Sequence, residues 1–274
     1  MPTYVNCNLC SLNNTKTVQK SESPFKVVRC RNCCLVYTNP QPDRERINKH
    51  YNESYYRDWI DKQMDRRIPM WRRRLQGLQN HKQKGRLLDV GCGIGTFLLL
   101  AKESGYEVWG TEISDFGSRY AGENLALDVY KGELEEARFP SAHFDIITLW
   151  HTLEHVPDPK AILKEIRRIL KEDGILVIAV PNLHNFITNI LYFLAKGKRL
   201  KLFSPQSKEW HFFHFSITTL SALLEKAGFD IIQKDLDLSQ IEPSKKTIDY
   251  LARFFFILTR KNFGEAMKVY AVKS

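Results

Sequence analysis

Leu87-Leu88-Asp89-Val90-Gly91-Cys92-Gly93-Ile94-Gly95 is the stretch on which the fold class turns. A short apolar strand runs into a turn with glycine at every second position. A helix-compatible run, 96–104, follows. This order brings the backbone of an α/β fold close to a nucleotide-like ligand, because glycine accepts positive φ and carries no Cβ. Dinucleotide-binding turns space their glycines G-x-G-x-x-G. The spacing here is G-x-G-x-G, so a pyrophosphate-binding turn fits less well.

Downstream, strands are expected at 86–90, 107–111, around 127–130, 144–149 and 175–180. They alternate with helical segments, the order of a parallel sheet. A helix is expected over 160–170, with Asp158 as cap, Pro159 in its first turn and Gly174 as terminator. A long excursion, 183–215, holds the apolar segment 186–194 and the basic residues Lys196, Lys198, Arg199 and Lys201. It is expected to stay out of the sheet and to cover the active-site end as a lid. Ser216 or Thr218 caps a further helix that ends at Gly228. A strand starts at 229, an apolar helical insertion spans 242–259, and the last strand covers 267–272.

Upstream, Cys7-x-x-Cys10 and Cys30-x-x-Cys33 are separated by 19 residues. That is the paired-knuckle spacing of a zinc ribbon, with four thiolates around one tetrahedral ion. Cys34 is an alternative ligand to Cys33. Residues 1–40 therefore read as a zinc module that could hardly fold without its metal. Residues 41–84 read as a basic helical linker, and 85–274 as the main α/β domain with insertions at 183–215 and 240–262. In the linker, Ile60, Met64, Ile68, Trp71, Leu75 and Leu78 recur at helical intervals. Pro69 should start a second helix or kink the first. Arg66, Arg67, Arg72, Arg73 and Arg74 form either an anion-binding surface or the solvated side of a packing helix.

The 274 residues are 43% hydrophobic, enough for one large core plus a small appendage. The formal charge of +10 favours anionic partners without choosing among nucleic acid, phosphorylated substrates and acidic membranes. Neither a signal-peptide pattern nor a bilayer-length apolar run is visible, so a cytoplasmic location is expected, with peripheral membrane contact open.

The glycine motif LDVGCGIGTFL (87–98), the acid Glu112, the loop Gly132-Glu133-Leu134, the segment FDIITLWHTLEHVPDP (144–159) and LKEDGILVIAVPN after the helix together resemble the class I S-adenosylmethionine-dependent methyltransferase family, over about residues 85–273. The resemblance implies a Rossmann-like seven-stranded sheet whose last strand is antiparallel. It implies a cofactor site formed by Asp89, Gly91, Cys92, Gly93, Thr96, Glu112, Ile113, Glu133, Leu134 and Trp150. CNLC…CRNCC…YTNP followed by Tyr51, Tyr55 and Tyr56 is similar to a subgroup with an N-terminal zinc ribbon and a tyrosine-rich linker. That subgroup usually has glycine after each knuckle, where this chain has Ser11 and Cys34.

Methyl transfer from a sulfonium needs alignment and exclusion of water, and sometimes a general base. The candidates are His151, at the end of the fourth main strand, and His211 and His214, in the aromatic run that closes the excursion. His155 reads as a buttress of the following turn. A second metal site from His211 and His214 is not expected, because no nearby cysteine or carboxylate cluster completes it. The leading expectation is S-adenosylmethionine-dependent methylation, at oxygen, of a small or lipid-linked metabolite such as a sugar, phenolic or quinone-like group. The protein would be a monomer or homodimer with one structural zinc. The alternatives are an RNA methyltransferase, which ranks lower for want of an appended RNA-binding domain, and a zinc-containing scaffold that binds the cofactor without catalysis.

Overall fold

The two cysteine knuckles open the chain, and three short strands grow from them. These are β1 (Thr15–Lys20), β2 (Lys26–Cys30) and β3 (Val36–Thr38), paired antiparallel in that order. The structure is a computed structural model that describes residues 1–22, 24–238, 246–259 and 261–274. Helix α1 (Arg44–His50) starts where the Asp43 carboxylate accepts the Arg46 N–H. Helix α2 (Glu53–Gln79) is capped in the same way by Asn52. It runs as one 27-residue helix through Pro69, so no second helix begins there. The missing Pro69 N–H costs one intrahelical bond. A buried stripe of Tyr55, Tyr56, Met70, Arg74, Leu75 and Leu78 holds the helix against the rest of the molecule.

The main sheet is built from β4 (Arg86–Val90), β5 (Glu107–Glu112), β6 (Val129–Lys131), β7 (Phe144–Trp150) and β8 (Leu170–Pro181), all parallel. Between them lie α3 (Thr96–Glu103), α4 (Asp115–Leu125) and α5 (Pro159–Ile169). Successive strand residues face opposite sides. Leu87, Ile146 and Val177 meet α2 and α3, whereas Leu88, Ile147 and Ile178 share a core with α5. Asp158 caps α5 and Pro159 occupies its first turn, as the sequence predicts. Gly174 does not terminate the helix. Leu170 already has extended φ/ψ and pairs with Phe144, so the helix passes directly into β8. Gly174 lies inside β8, where an added Cβ would come within 2.7 Å of the Leu170 side chain.

Beyond β8, the excursion forms α6 (Phe186–Lys196) and a two-residue strand β9 (Phe213–His214). Helix α7 (Ile217–Lys226) follows, capped by Ser216 rather than Thr218. Strand β10 (Phe229–Leu236), helix α8 (Lys246–Thr259) and strand β11 (Ala266–Lys273) complete the chain. The seven-stranded order is β10-β11-β8-β7-β4-β5-β6, with β11 antiparallel to both neighbours. The excursion stays out of this sheet, as expected, but its end joins another. Strand β9 pairs antiparallel with β3, giving a four-stranded sheet β1-β2-β3-β9 that ties the N-terminal module to residues 213–214. Helix α6 lies beside α8. The part of the expected second insertion at 240–245, and Arg260, fall outside the described residues.

Candidate active site

One cavity of about 1260 Å³ opens at the C-terminal edge of the parallel strands, where ligands of open α/β sheets bind. Its volume exceeds the roughly 300–1,000 Å³ usual for one small ligand, leaving room for two molecules side by side. The glycine turn forms one end. The Gly91 and Cys92 N–H groups donate to the Thr111 carbonyl at 2.8 and 3.0 Å, anchoring the turn to β5. Gly91 has φ +72, and a Cβ there would strike Thr152 at 2.6 Å. Gly93 has φ +57, and a Cβ there would meet nothing nearer than the Tyr56 ring at 3.5 Å. The turn therefore offers bare backbone to the cavity.

Glu112, at the end of β5, is buried and accepts from the Gly93 and Ser114 N–H groups at 2.8 Å each and from the Tyr56 hydroxyl at 3.3 Å. Burial raises its pKa despite these donors. Asp89 accepts from Thr148 Oγ1 at 2.6 Å, and burial lifts its pKa to about 7. Ile113, Glu133, Leu134 and Trp150 complete this wall, together with Cys92. The buried Trp150 Nε1 has no hydrogen-bond partner among the described residues. A nucleoside with a charged tail fits this end: it offers two acidic groups, apolar walls and a backbone cradle. Thr96 does not line the cavity. Its hydroxyl points to Met64 Sδ at 3.8 Å, because the first turn of α3 faces α2.

Histidines gather at the other end. His151, directly after β7, has φ +54, a strained conformation for a residue with a side chain. Its Nε2 lies 3.0 Å from Asp237 Oδ2 and its Nδ1 3.5 Å from Glu154 Oε1. Burial opposes its charge, but these two carboxylates lift its pKa to about 9. Arg74 of α2 holds Asp237 in turn through a two-pronged buried ion pair, with Nε to Oδ1 at 3.0 Å. The Arg74 guanidinium also stacks over Trp71 and Trp150. The arginine-rich face is thus divided. Arg74 is buried and Arg67 lies over Trp59 on the cavity wall, while Arg66, Arg72 and Arg73 are exposed.

His211 lines the cavity, and burial lowers its pKa to about 3. His214 does not line it. Its backbone pairs with Val36 in the small sheet, and its buried Nε2 has no partner among the described residues. His155 Nδ1 meets the Tyr51 hydroxyl at 2.8 Å and the Trp210 carbonyl at 2.9 Å, contacts that suit a buttress of the following turn. It also lines the cavity. Tyr51, Tyr55, Tyr56 and Trp59 form an aromatic wall, with the Tyr55 hydroxyl on the Glu209 carboxylate at 2.9 Å. Of the excursion, Glu209, His211 and Phe213 line the cavity, but no residue of α6 does. Sequence reading named Arg74 among the linker arginines but missed its partner Asp237 and the carboxylate of Glu154. The spacing His151-x-x-Glu154-His155 was the one available signal.

The knuckles are near-copies of each other. Ser11 and Cys34 both take φ +65, Ser11 and Cys34 N–H groups return to the Cys7 and Cys30 carbonyls, and Cys7 and Cys30 N–H groups reach Leu12 and Leu35. A polar side chain and an exposed cysteine thus occupy the left-handed positions that glycine usually fills. The sulfurs of Cys7, Cys10, Cys30 and Cys33 lie within 4.8 Å of one another, while Cys34 is exposed. Cys7 and Cys33 are 3.3 Å apart, and Cys10 and Cys30 3.5 Å. Four Zn–S bonds of ~2.3 Å hold sulfurs about 3.8 Å apart, so the cluster fits zinc with a small expansion.

A family profile described as a methyltransferase domain matches residues 60–234. Among curated relatives, 2-methyl-6-phytyl-1,4-hydroquinone methyltransferase of Synechocystis is 39% identical over 98 residues, covering 34% of this chain and 31% of that protein. Ubiquinone biosynthesis O-methyltransferase of Actinobacillus pleuropneumoniae is 34% identical over 107 residues, covering 35% and 46%. The chain thus spans less than half the length of these relatives. A solved structure from Pyrococcus horikoshii superposes with a TM-score of 0.58 at 19% identity, covering 81% of this chain and 99% of that one, a likeness of fold alone.

Proposed function

Because the chain belongs to the methyltransferase-domain family, we propose that it transfers a methyl group from S-adenosylmethionine to an oxygen of a phenolic or quinone-like metabolite. The observation that carries this reading is one continuous cavity with a nucleoside-sized cradle at one end and a histidine cluster at the other. The quinone-related relatives support the acceptor class. The cofactor supplies an electrophilic methyl group. Glu112 would hold ribose hydroxyls, Asp89 the cofactor's ammonium, and Ile113, Leu134 and Trp150 its apolar faces. Gly91 and Gly93 permit close backbone approach. His151 would take the acceptor's hydroxyl proton at Nδ1 in its neutral form, the minor one below its pKa of about 9, with Asp237 holding Nε2 and Arg74 holding Asp237. His211 faces the same space. Cys7, Cys10, Cys30 and Cys33 would hold a structural zinc. A labelled-methyl assay with hydroquinone and catechol acceptors tests this. His151→Ala should lower kcat at least a hundredfold and leave cofactor affinity within threefold. Normal turnover in that variant would remove His151 from the role, and transfer to no phenolic acceptor would overturn the acceptor class.

The exposed apolar side chains of α6 and α8, among them Phe193, Leu194, Phe254 and Leu258, lie near the exposed Lys196, Lys198, Arg199 and Lys201. No described helix is long and apolar enough to cross a membrane. Greasy residues beside a basic run suit an anionic lipid surface, from which a lipid-linked acceptor would be drawn. Co-sedimentation with anionic but not neutral vesicles is expected. A homodimer in solution that buries these helices, with no vesicle binding, would contradict it.

A further inference from the structure

Glu154 is a buried carboxylate without hydrogen-bonding partners. Both its oxygens are shielded from solvent, and neither accepts a hydrogen bond among the described residues. Leaving such a group unsatisfied is costly. The nearest ring nitrogens stand off, His151 Nδ1 at 3.5 Å and His155 Nε2 at 3.8 Å. These distances are too long for hydrogen bonds of ordinary strength.

The tautomer of His155 sharpens the point. The Trp210 carbonyl, 2.9 Å from Nδ1, can accept but not donate. Nδ1 therefore carries a proton, as assigned from this contact. In the neutral ring Nε2 is then a lone pair beside two carboxylates, Glu154 Oε1 at 3.8 Å and Glu209 Oε2 at 3.9 Å, an arrangement that a cation between them would relieve. A ring N–H fixed on a backbone carbonyl is also how metal-binding histidines are oriented. His211 brings a third donor. One ligand atom each from Glu154, His155 and His211 lie within 4.8 Å of one another, with the His155 and His211 rings 4.9 Å apart. Metal–ligand bonds of about 2.0–2.2 Å place neighbouring donors roughly 3–3.5 Å apart. Small side-chain movements would close this set.

We propose that Glu154, His155 and His211 form a second metal site, distinct from the four cysteines, for a divalent transition-metal cation. No cysteine or carboxylate cluster lies near His211 and His214 in sequence, so the chain alone predicts no second metal site from these two histidines. The carboxylate comes instead from the turn after β7, folded against the end of the excursion. Two histidines and one carboxylate leave coordination positions open. His155 and His211 line the cavity, so those positions can meet an acceptor oxygen. This role rests on the methyltransferase reading; the binding does not. There the cation would promote ionisation of a phenolic hydroxyl, whose proton passes to His151. The oxygen then forms its bond to the methyl carbon as the sulfur–methyl bond breaks.

The test is titration of zinc-loaded full-length protein with Mn(II), with free Mn(II) followed by electron paramagnetic resonance. Mn(II) prefers oxygen and nitrogen over thiolate, so it leaves the cysteine site alone. One Mn(II) per chain is expected, with affinity reduced at least tenfold in Glu154→Gln and in His211→Ala, and unchanged in Cys34→Ser. No Mn(II) and no second zinc bound by the wild type would overturn the site. Wild-type affinity in Glu154→Gln would do the same. If Glu154→Gln does not fold, His211→Ala on the cavity wall decides in its place. S-adenosylmethionine titrated into the same samples separates the two claims. Cofactor binding without Mn(II) sinks the metal site alone, and Mn(II) binding without cofactor sinks the methyltransferase reading alone.

Discussion

The two ends of the cavity are made in different ways. The cofactor end is a backbone construction from adjacent parallel strands: the turn 91–93 hangs on β5, and Glu112 accepts the turn's Gly93 N–H. The histidine end is assembled from side chains on four separate segments. These are the start of α2, the turn after β7, the end of the excursion and the residue after β10. The first end inherits the rigidity of the sheet. The second depends on long-range contacts, including β3 with β9, so it should yield first when the molecule is perturbed.

Metal removal should separate the ends most strongly. Structural zinc contributes on the order of 10–16 kcal/mol in small zinc modules. Stripping it should loosen β1–β3, release β9 and displace His211. Turnover should drop more than a hundredfold while cofactor affinity changes less than tenfold, as calorimetry on the stripped protein would report. Equal losses at both ends would erase the distinction.

The next largest effect is expected at the buried Arg74–Asp237 pair. Removing one partner of such a pair costs about 3–5 kcal/mol because the other charge is stranded. Asp237→Ala should lose about that much in denaturant unfolding. It should also lower kcat more than it weakens cofactor binding, since His151 loses its Nε2 partner. A change below 1 kcal/mol would mean that Arg74 finds another partner.

A smaller effect probes the cofactor end by pH. The pKa of Asp89 is raised to about 7, so its carboxylate is the main form above that value and is lost as pH falls through it. If the carboxylate receives the cofactor's ammonium, affinity should weaken about 25-fold between pH 7.5 and 5.5. Asp89→Asn should flatten the profile. A pH-independent wild type would remove Asp89 from that role.

The same contrast explains what was legible in the chain. LDVGCGIG and Glu112 announced the cofactor end because strand, turn and helix are adjacent in sequence and their glycines carry a local steric meaning. The C-x-x-C pairs did so for the four-sulfur cluster. Residues 144–149 and 267–272 were readable as strands from their apolar runs. Asp237, Arg74 and the partnership of β9 with β3 were not, because nothing local marks a buried ion pair between residues 163 apart. His214 looked equivalent to His211, three positions on. A two-residue strand turns one ring into the cavity wall and leaves the other sealed, and no periodicity announces so short a strand. Gly174 and Pro69 misled because tertiary packing overrode their local preferences.

The central claim is most directly tested by calorimetric titration of S-adenosylmethionine into zinc-loaded protein, wild type and Glu112→Ala. One site per chain is predicted, weakened about a hundredfold by the substitution through loss of charge-assisted hydrogen bonds of ~1.5–3 kcal/mol each. A folded, zinc-loaded chain that binds no cofactor, or a Glu112→Ala variant that binds it as tightly as the wild type, would contradict the account.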